Sequence, residues 1–328
     1  MNEMDKGSLH EQLDQALAAI LAGRDSSLGE VNPEIAPLLR VARNLRELPR
    51  EDFRIRLKVE LQRRTSMATP AVKSGREGFH SVTPYLIVPG ATVLIEFMKN
   101  AFGAVERLRV QRPGSEQIMH AEVKVDDCII ELADASPEFP ALPASIHLYV
   151  PDVDAVHSRA VRAGGVEKHP PTDQDYGERS SFVEDSLGNH WYIATRLGNE
   201  PVPAGLRAVT PYLHVHGAVR MADFLKEAFE AEEVERAASP DGTILHAKLR
   251  IGDSIIEMGE AHGEYQPMPS TLHLYVNNVD TVYARALRAG ASSLREPRDE
   301  PYGDRNSGIL DPSGNRWFIA THIKDVHF

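Results

Sequence analysis

The sequence predicts an α+β protein with two tandem βαβββ-repeat domains built on curved mixed sheets, preceded by a small all-α segment. Three observations support this fold class. With 328 residues, the chain is longer than a usual single domain. Beyond the first quarter of the chain, the same short motifs occur twice in the same order. Within each repeat, helical and strand-like hydrophobic periodicities alternate.

The internal repeat sets the expected domain limits. Five motifs occur twice: TPYL at 83 and 210, FMKNAF at 97 and FLKEAF at 224, HA at 120 and 246, IIE at 129 and 255, and HLYV at 147 and 273. A Pro/Gly-rich stretch lies between the copies, as expected of a linker. We therefore expect a helical segment, a linker, a first domain, a second linker and a second domain, over residues 1–64, 65–79, 80–197, 198–207 and 208–324.

Each copy carries the same succession of elements. In the first copy, the apolar strand YLIV precedes a helix whose apolar residues recur at helical spacing between 93 and 102. Asp152 and Asp154 should begin a second helix over 153–163, and Gly164-Gly165 should end it. The other patterned segments are predicted strands, at 104–111, 117–126, 128–134, 145–150, 166–170, 180–184 and 189–196.

Strand side chains point alternately to the two faces of a sheet. Ala121, Val123 and Val125 alternate with polar residues, so the apolar set should pack on the helices and the polar set should face an open cup. We expect each copy to form its own cup, with a small-molecule ligand inside. The cup residues would be Tyr85, His120, Glu131, His147, Tyr149, His190 and Tyr192 in one copy, and Tyr212, His214, His246, Glu257, His273, Tyr275, Arg316 and Phe318 in the other.

Two histidines and a carboxylate in one cup are a sound ligand set for a divalent metal. The candidate ligands are His120, Glu131 and His147, with His246, Glu257 and His273 in the second copy, and the ion would be Zn, Ni, Mn or Fe. The alternative is a polar cup without metal, because polar residues are common on a half-exposed sheet face. We favour this alternative, because the second His/Glu/His set was inherited by duplication and is not independent evidence for a metal site.

Two equivalent arginines, Arg179 and Arg305, lie in Tyr-Gly-x-Arg motifs just before a strand. Each guanidinium could clamp a carboxylate or phosphate of a ligand. Each could equally pair with the aspartate six residues later, Asp185 or Asp311. The sequence leaves both interpretations open.

The series TPYL, FxxxAFG, HAEV, IIEL, HLYV with DVD, YGxR and D-x-x-GN-x-W resembles the vicinal oxygen chelate superfamily. Within it, the PhnB-like glyoxalase/bleomycin-resistance proteins are most similar. The resemblance implies metal ligands on the first, fourth, fifth and eighth strands of the enzymes, such as glyoxalase I and ring-cleaving dioxygenases. Those positions hold Thr83 and Thr210, Glu131 and Glu257, Ser145 and Thr271, and Tyr192 and Phe318. Only the glutamate remains, which argues against the standard metal site.

The composition indicates which classes of binding partner to expect. A formal net charge of −12 repels phosphate backbones, so we expect no nucleic-acid partner. No apolar run approaches the roughly 20 residues of a membrane span, so no membrane partner is expected. The single cysteine, Cys128, fits a reducing compartment, and we expect a cytoplasmic protein. Duplication suggests that the two copies pair within the chain, giving a monomer or a homodimer.

Three functional hypotheses follow. The first is a binding protein that holds a small organic ligand in its cups without metal. The second is a metal-dependent enzyme of the glyoxalase or dioxygenase type, in which the ion stabilises an enolate or activates dioxygen. The third is a regulatory protein whose helices in residues 1–64 bind a protein partner. We rank the first slightly above the second, and both rest on family analogy.

Overall fold

The computed structural model describes residues 77–198 and 202–324. The chain divides into two units, Met1–Thr69 and Pro70–Phe328, and the description concerns the second unit. The predicted helical segment over 1–64 lies outside the described residues, as does most of the predicted linker over 65–79.

The first copy contains two βαβββ units in succession, as predicted. Its elements are β1 (Val82–Val88), α1 (Ala91–Phe102), β2 (Val105–Gln111), β3 (Ile118–Val125), β4 (Cys128–Asp134), β5 (Ser145–Tyr149), α2 (Val153–Arg162), β6 (Val166–Asp173), β7 (Glu178–Glu184) and β8 (His190–Arg196).

The second copy repeats this order. Its elements are β9 (Val209–Val215), α3 (Ala218–Phe229), β10 (Glu232–Ala238), β11 (Ile244–Ile251), β12 (Ser254–Glu260), β13 (Thr271–Tyr275), α4 (Val279–Arg288), β14 (Ser292–Asp299), β15 (Asp304–Leu310) and β16 (Arg316–His322).

Local signals begin and end the helices as the sequence predicted. The side chain of Asp152 accepts a hydrogen bond from the backbone N–H of Ala155 at 3.0 Å, which caps the start of α2. Gly164 follows the helix with a φ of +102°, a backbone conformation that favours glycine. Among the described residues, no helix combines the length and apolar character needed to cross a membrane.

The apolar core of each copy lies on the helix side of the strands and is built largely from that copy alone. Ala121 and Val123 are fully buried and join a cluster with Leu94 and Met98 of α1. Trp191 of the last strand completes the same cluster. The predicted alternation of β3 is therefore confirmed, and the apolar face packs on the helices.

The strands form two eight-stranded mixed sheets, and each sheet combines half of one copy with half of the other. The first sheet has the order β14-β15-β16-β13-β1-β4-β3-β2, and the second has the order β10-β11-β12-β9-β5-β8-β7-β6. The copies meet where β1 runs antiparallel to β13 and where β5 runs antiparallel to β9. We call the polar faces of these sheets the first cup and the second cup.

The expectation that each copy forms its own cup is therefore wrong. Alternation along a strand determines which face a side chain takes, but not which strand lies beside it. Since the two copies have similar strands in the same order, the sequence pattern is equally compatible with either pairing. In the structure, His147 lies beside Thr210, and Thr83 lies beside His273.

Candidate functional site

The second cup is a cavity of about 740 Å³. Its lining comes from both copies and includes His147 and Tyr192 of the first and Tyr212, His214 and His246 of the second. A cavity of this size, with polar groups set among aromatic rings, accommodates a small organic molecule.

A buried ion pair joins the two copies in this cup. Nδ1 of His147 lies 2.5 Å from Oε2 of Glu257, whose side chain is fully buried. The hydroxyl of Tyr149 donates a hydrogen bond to Oε1 of Glu257 at 2.8 Å. Nε2 of His246 and Nζ of Lys248 lie farther from the carboxylate, at 3.8 and 4.0 Å. The carboxylate thus has the partners that a buried charge requires.

The two members of the ion pair shift each other's protonation. Burial alone would raise the pKa of Glu257, but the charge and hydrogen bond of His147 outweigh burial and hold this pKa well below its usual range. Burial would also lower the pKa of His147, yet the Glu257 carboxylate raises that pKa above its usual value. The geometry therefore favours an imidazolium facing a carboxylate.

The second ring nitrogen of His147, Nε2, is a buried polar atom. Within the described part of the chain, Nε2 of His147 has no hydrogen-bond partner. It lies 3.7 Å from Oε2 of Glu178, which is too long for a hydrogen bond. The other oxygen of Glu178 accepts from the Tyr149 hydroxyl at 3.3 Å. Both side chains line the cavity, and Nε2 of His147 lies buried behind its surface.

Aromatic rings form one wall of the second cup, which we call the aromatic wall: Phe182, Tyr192, Tyr212, His214 and Tyr265. The Tyr192 hydroxyl lies 3.0 Å from Nε2 of His214, and the His214 ring stacks on Tyr265 with an interplanar angle of 12°. Burial, together with neighbouring histidines, lowers the pKa of His214 to about 4. His214 is therefore a neutral ring whose Nε2 accepts a hydrogen bond from the Tyr192 hydroxyl.

The first cup contains the same histidine–glutamate contact in different surroundings. Nδ1 of His273 lies 2.8 Å from Oε2 of Glu131. Nε2 of His273 faces the side-chain amide of Asn306 at 3.5 Å. Asp304, at the position of Glu178, is held by Nδ1 of His322 at 2.8 Å. In the first cup, the counterparts of Nε2 of His147 and of the Glu178 carboxylate therefore both face protein side chains.

The aromatic wall also differs between the cups. Ile87 and Phe318 stand in the first cup where the second has His214 and Tyr192. Phe318 packs against Tyr85 and Phe139, with ring centroids 5.7 and 5.6 Å away. The first cup therefore lacks the Tyr192–His214 hydrogen bond and has a more apolar wall.

The predicted grouping of candidate metal ligands is corrected by these contacts. His147 does not join Glu131, because strand pairing brings it to Glu257 of the other copy. His273 likewise meets Glu131 rather than Glu257. His120 lies in the first cup, where its Nε2 is 3.2 Å from Oε1 of Glu122. The candidate ligands were grouped by copy, whereas each cup combines strands of both copies.

The two motif arginines make structural ion pairs. Arg179 binds Asp154 and Asp173, each at 2.8 Å, and Arg305 makes the same contacts with Asp280 and Asp299. The alternative pairing with Asp185 and Asp311 is wrong, because these carboxylates accept hydrogen bonds from the tryptophan of the last strand, Trp191 and Trp317. Arg179 is not among the residues that line the second cup.

Two further predicted residues lie at the margins. Arg316 donates from Nη1 to the carbonyl oxygen of Pro140 at 3.0 Å. His190 packs on Phe182 with ring centroids 4.8 Å apart, and Nε2 of His190 lies 3.4 Å from Oε2 of Glu184. His190 is not among the residues that line the cavity.

Two residues that line the second cup, Glu178 and Tyr265, were not predicted from the sequence. The strand that carries Glu178 was predicted to begin at 180, whereas β7 begins at Glu178, so the residue was not counted on the cup face. Alternation with Ser180 and Phe182 could have found it. Tyr265 lies in the loop between β12 and β13, where no periodic pattern exists.

The side chains of the second cup do not fit a metal ion well. The family's ligand positions hold Thr210, Ser145 and Tyr192 beside Glu257, and hydroxyls are poor substitutes for imidazole or carboxylate. Glu257 already binds His147 and Tyr149. Over residues 77–198 and 202–324, three metal-binding atoms converge within 4.8 Å only at His80, Asp127 and Cys128. That cluster also contacts the guanidinium of Arg207, 3.5 Å from Asp127, which opposes a cation.

The fold and the sequence identify the family. The model of the glyoxalase/bleomycin resistance protein/dioxygenase superfamily matches residues 78–193 and 213–319. The chain therefore belongs to this superfamily, as its motifs predicted.

The chain is also similar to individual proteins and to solved structures. An uncharacterized protein of Mycobacterium bovis is 33% identical over 131 residues, which are 37% of this chain and 86% of that protein. An uncharacterized protein of Mycobacterium tuberculosis is equally identical, over 77% of its length. Glyoxalase I from Zea mays superposes with a TM-score of 0.58 at 16% identity, covering 74% of this chain and 92% of that chain. At this identity, the maize enzyme supports the fold alone.

Proposed function

We propose that this protein binds a small organic ligand with a planar ring in its second cup, and that binding requires no metal ion. The observation that carries the proposal is the cavity of about 740 Å³ lined on one side by the aromatic wall. Aromatic side chains bind planar rings by stacking and by burial of apolar surface. The polar groups on the opposite strands then orient the ligand.

The aromatic wall is preorganised for such a ligand. Tyr192, His214 and Tyr265 hold one another by a hydrogen bond and by stacking, and Tyr212 packs against Tyr192 with ring centroids 5.6 Å apart. Rings that are already fixed lose little conformational entropy when a ligand binds, so their contact area contributes more to affinity.

Binding without metal is supported by the state of Glu257. A metal would have to replace His147 and Tyr149 as partners of this carboxylate. It would also have to displace the proton between His147 and Glu257, because an imidazole binds a metal only in its neutral form. The remaining family positions offer hydroxyl groups, so little would compensate for that loss.

The test is a fluorescence titration with 2-naphthol as the planar probe, before and after dialysis of the protein against EDTA. We expect the same dissociation constant in both samples. Tyr212→Ala should weaken binding about tenfold through lost stacking and buried area. The matched variant Tyr85→Ala, at the equivalent position of the first cup, should leave the affinity for the second cup unchanged.

Two outcomes contradict the proposal. One is binding that disappears after EDTA treatment and returns with added Zn²⁺, which would favour the metal-dependent enzyme. Elemental analysis of protein purified without chelator would then find stoichiometric metal. The other is an equal loss of affinity in Tyr85→Ala and Tyr212→Ala, which would remove the second cup as the specific site.

A further inference from the structure

We propose that Nε2 of His147 and Oε2 of Glu178 form a binding site for one hydroxyl group of the ligand. The inference rests on the proposed function, since it specifies the polar group carried by the planar ring. The ligand class is therefore a hydroxylated planar compound, such as a phenol or an enol.

His147 has a fixed orientation in the second cup. Glu257 binds Nδ1, so the imidazole plane is fixed and Nε2 is directed away from the ion pair. An imidazolium has a proton on each ring nitrogen, so Nε2 is a hydrogen-bond donor. Within the described residues this donor has no acceptor, and a buried polar group without a partner destabilises the protein. A ligand that supplies the acceptor therefore gains affinity.

Glu178 lies just beyond hydrogen-bond distance of Nε2 of His147. Nε2 of His147 and Oε2 of Glu178 are 3.7 Å apart, too far for a direct hydrogen bond. An oxygen atom can lie about 2.8 Å from both, at the third corner of a triangle. A hydroxyl at that point accepts from Nε2–H and donates its own proton to the carboxylate.

The charges select a hydroxyl over other groups. Glu178 and Glu257 would both repel a ligand carboxylate placed at this point. The imidazolium of His147 would repel a ligand ammonium group there. A ketone oxygen can accept from Nε2 but has no proton for Glu178. A neutral hydroxyl satisfies both protein groups and adds no charge.

The first cup supplies the internal comparison. Asn306 stands where the second cup has Ser180, and its amide faces Nε2 of His273. Asp304 stands where the second cup has Glu178, is one methylene shorter and is held by His322. The histidine–glutamate contact recurs in both cups, but in the first cup the groups equivalent to the proposed hydroxyl site face Asn306 and His322.

The experiment compares two fluorescent probes of nearly equal shape, 2-naphthol and 2-methoxynaphthalene, bound to the full chain at pH 6. The methoxy probe has no proton to donate to Glu178. In the wild-type chain we expect 2-naphthol to bind about tenfold or more tightly than the methoxy probe, as for a hydrogen bond to a charged group. Glu178→Gln should reduce this ratio several-fold.

Ser180→Asn introduces the residue found at the equivalent position of the first cup, where the Asn306 amide faces Nε2 of His273. It should bring the ratio of the two affinities close to one. The methoxy probe monitors folding and cavity volume, because its binding should survive this substitution. Asn306→Ser in the first cup is the matched control and should leave the ratio unchanged.

The outcomes separate this inference from the function on which it rests. Equal wild-type affinities for both probes overturn the hydroxyl-binding site while leaving the proposed function intact. A ratio that persists in both Glu178→Gln and Ser180→Asn also overturns it. If neither probe binds the wild-type chain, the proposed function fails, and the hydroxyl-binding site fails with it.

Discussion

Nδ1 of His147 lies 2.5 Å from Oε2 of Glu257, although the two residues belong to different copies of the repeat. His273 and Glu131 form the reciprocal contact in the other sheet. Each cup is thus a joint product of both copies, while each helix-side core belongs largely to one copy. The interface between the copies therefore forms part of both sheets and of the walls of both cups.

The ion pair should be essential for stability. His147→Ala leaves the Glu257 carboxylate buried without its main partner, and we expect the free energy of unfolding to fall by about 3–5 kcal/mol. Chemical denaturation measures this change. His273→Ala is the matched variant and should cost a similar amount. Adding Glu257→Gln to His147→Ala should recover part of the loss, and strictly additive effects would argue against a coupled pair.

Cutting the chain between the copies should not separate them. A protease site introduced at residues 199–201 would divide the protein into two pieces, each of which supplies four strands to both sheets. We expect the cleaved pieces to co-elute in size-exclusion chromatography at the elution volume of the intact protein. Elution as two independent monomers would contradict the shared sheets.

Acid should destabilise the protein through His214. The folded-state pKa of His214 is lowered to about 4, below the usual value near 6.5, so the unfolded chain binds this proton more readily. Stability is therefore fully present above pH 6.5 and decreases as the pH falls toward 4, by about 3 kcal/mol from this group.

The variant His214→Ile isolates that contribution, because isoleucine is the residue at the equivalent position of the first cup. Its free energy of unfolding should change less between pH 7 and pH 4 than that of the wild-type chain. Parallel pH profiles of the two proteins would show that His214 is not responsible.

A small residue at 259 should be necessary for the cavity. A Cβ atom added to Gly259 would lie 2.7 Å from the carbonyl oxygen of Leu245 and 3.0 Å from the hydroxyl of Tyr212. We expect Gly259→Ala to destabilise the fold by roughly 1–3 kcal/mol and to weaken probe binding by moving Tyr212. Thermal unfolding and the 2-naphthol titration measure the two effects. Unchanged values in both would mean that Tyr212 is not restrained as described.

The sequence predicted the elements and the cup-facing residues because both depend on local periodicity. His147, Tyr212 and His246 were assigned to the polar face from alternation, and all three line the second cup. Which half-copy pairs with which could not be predicted, since the two copies offer equivalent strands. Glu178 was missed because β7 begins two residues before the predicted start of that strand. The surroundings of His147 and His273 differ because Ser180 lies in one cup and Asn306 in the other. The sequence could not predict this difference, because it does not show which strands are paired.

The most direct test of ligand binding in the second cup is anomalous scattering from crystals soaked with 6-bromo-2-naphthol. We expect a bromine peak inside the cavity beside Tyr192 and Tyr212, with the hydroxyl oxygen near Nε2 of His147 and without a metal peak at the transition-metal edges. A bromine peak only outside the second cup, or a metal bound by Glu257, would contradict the account.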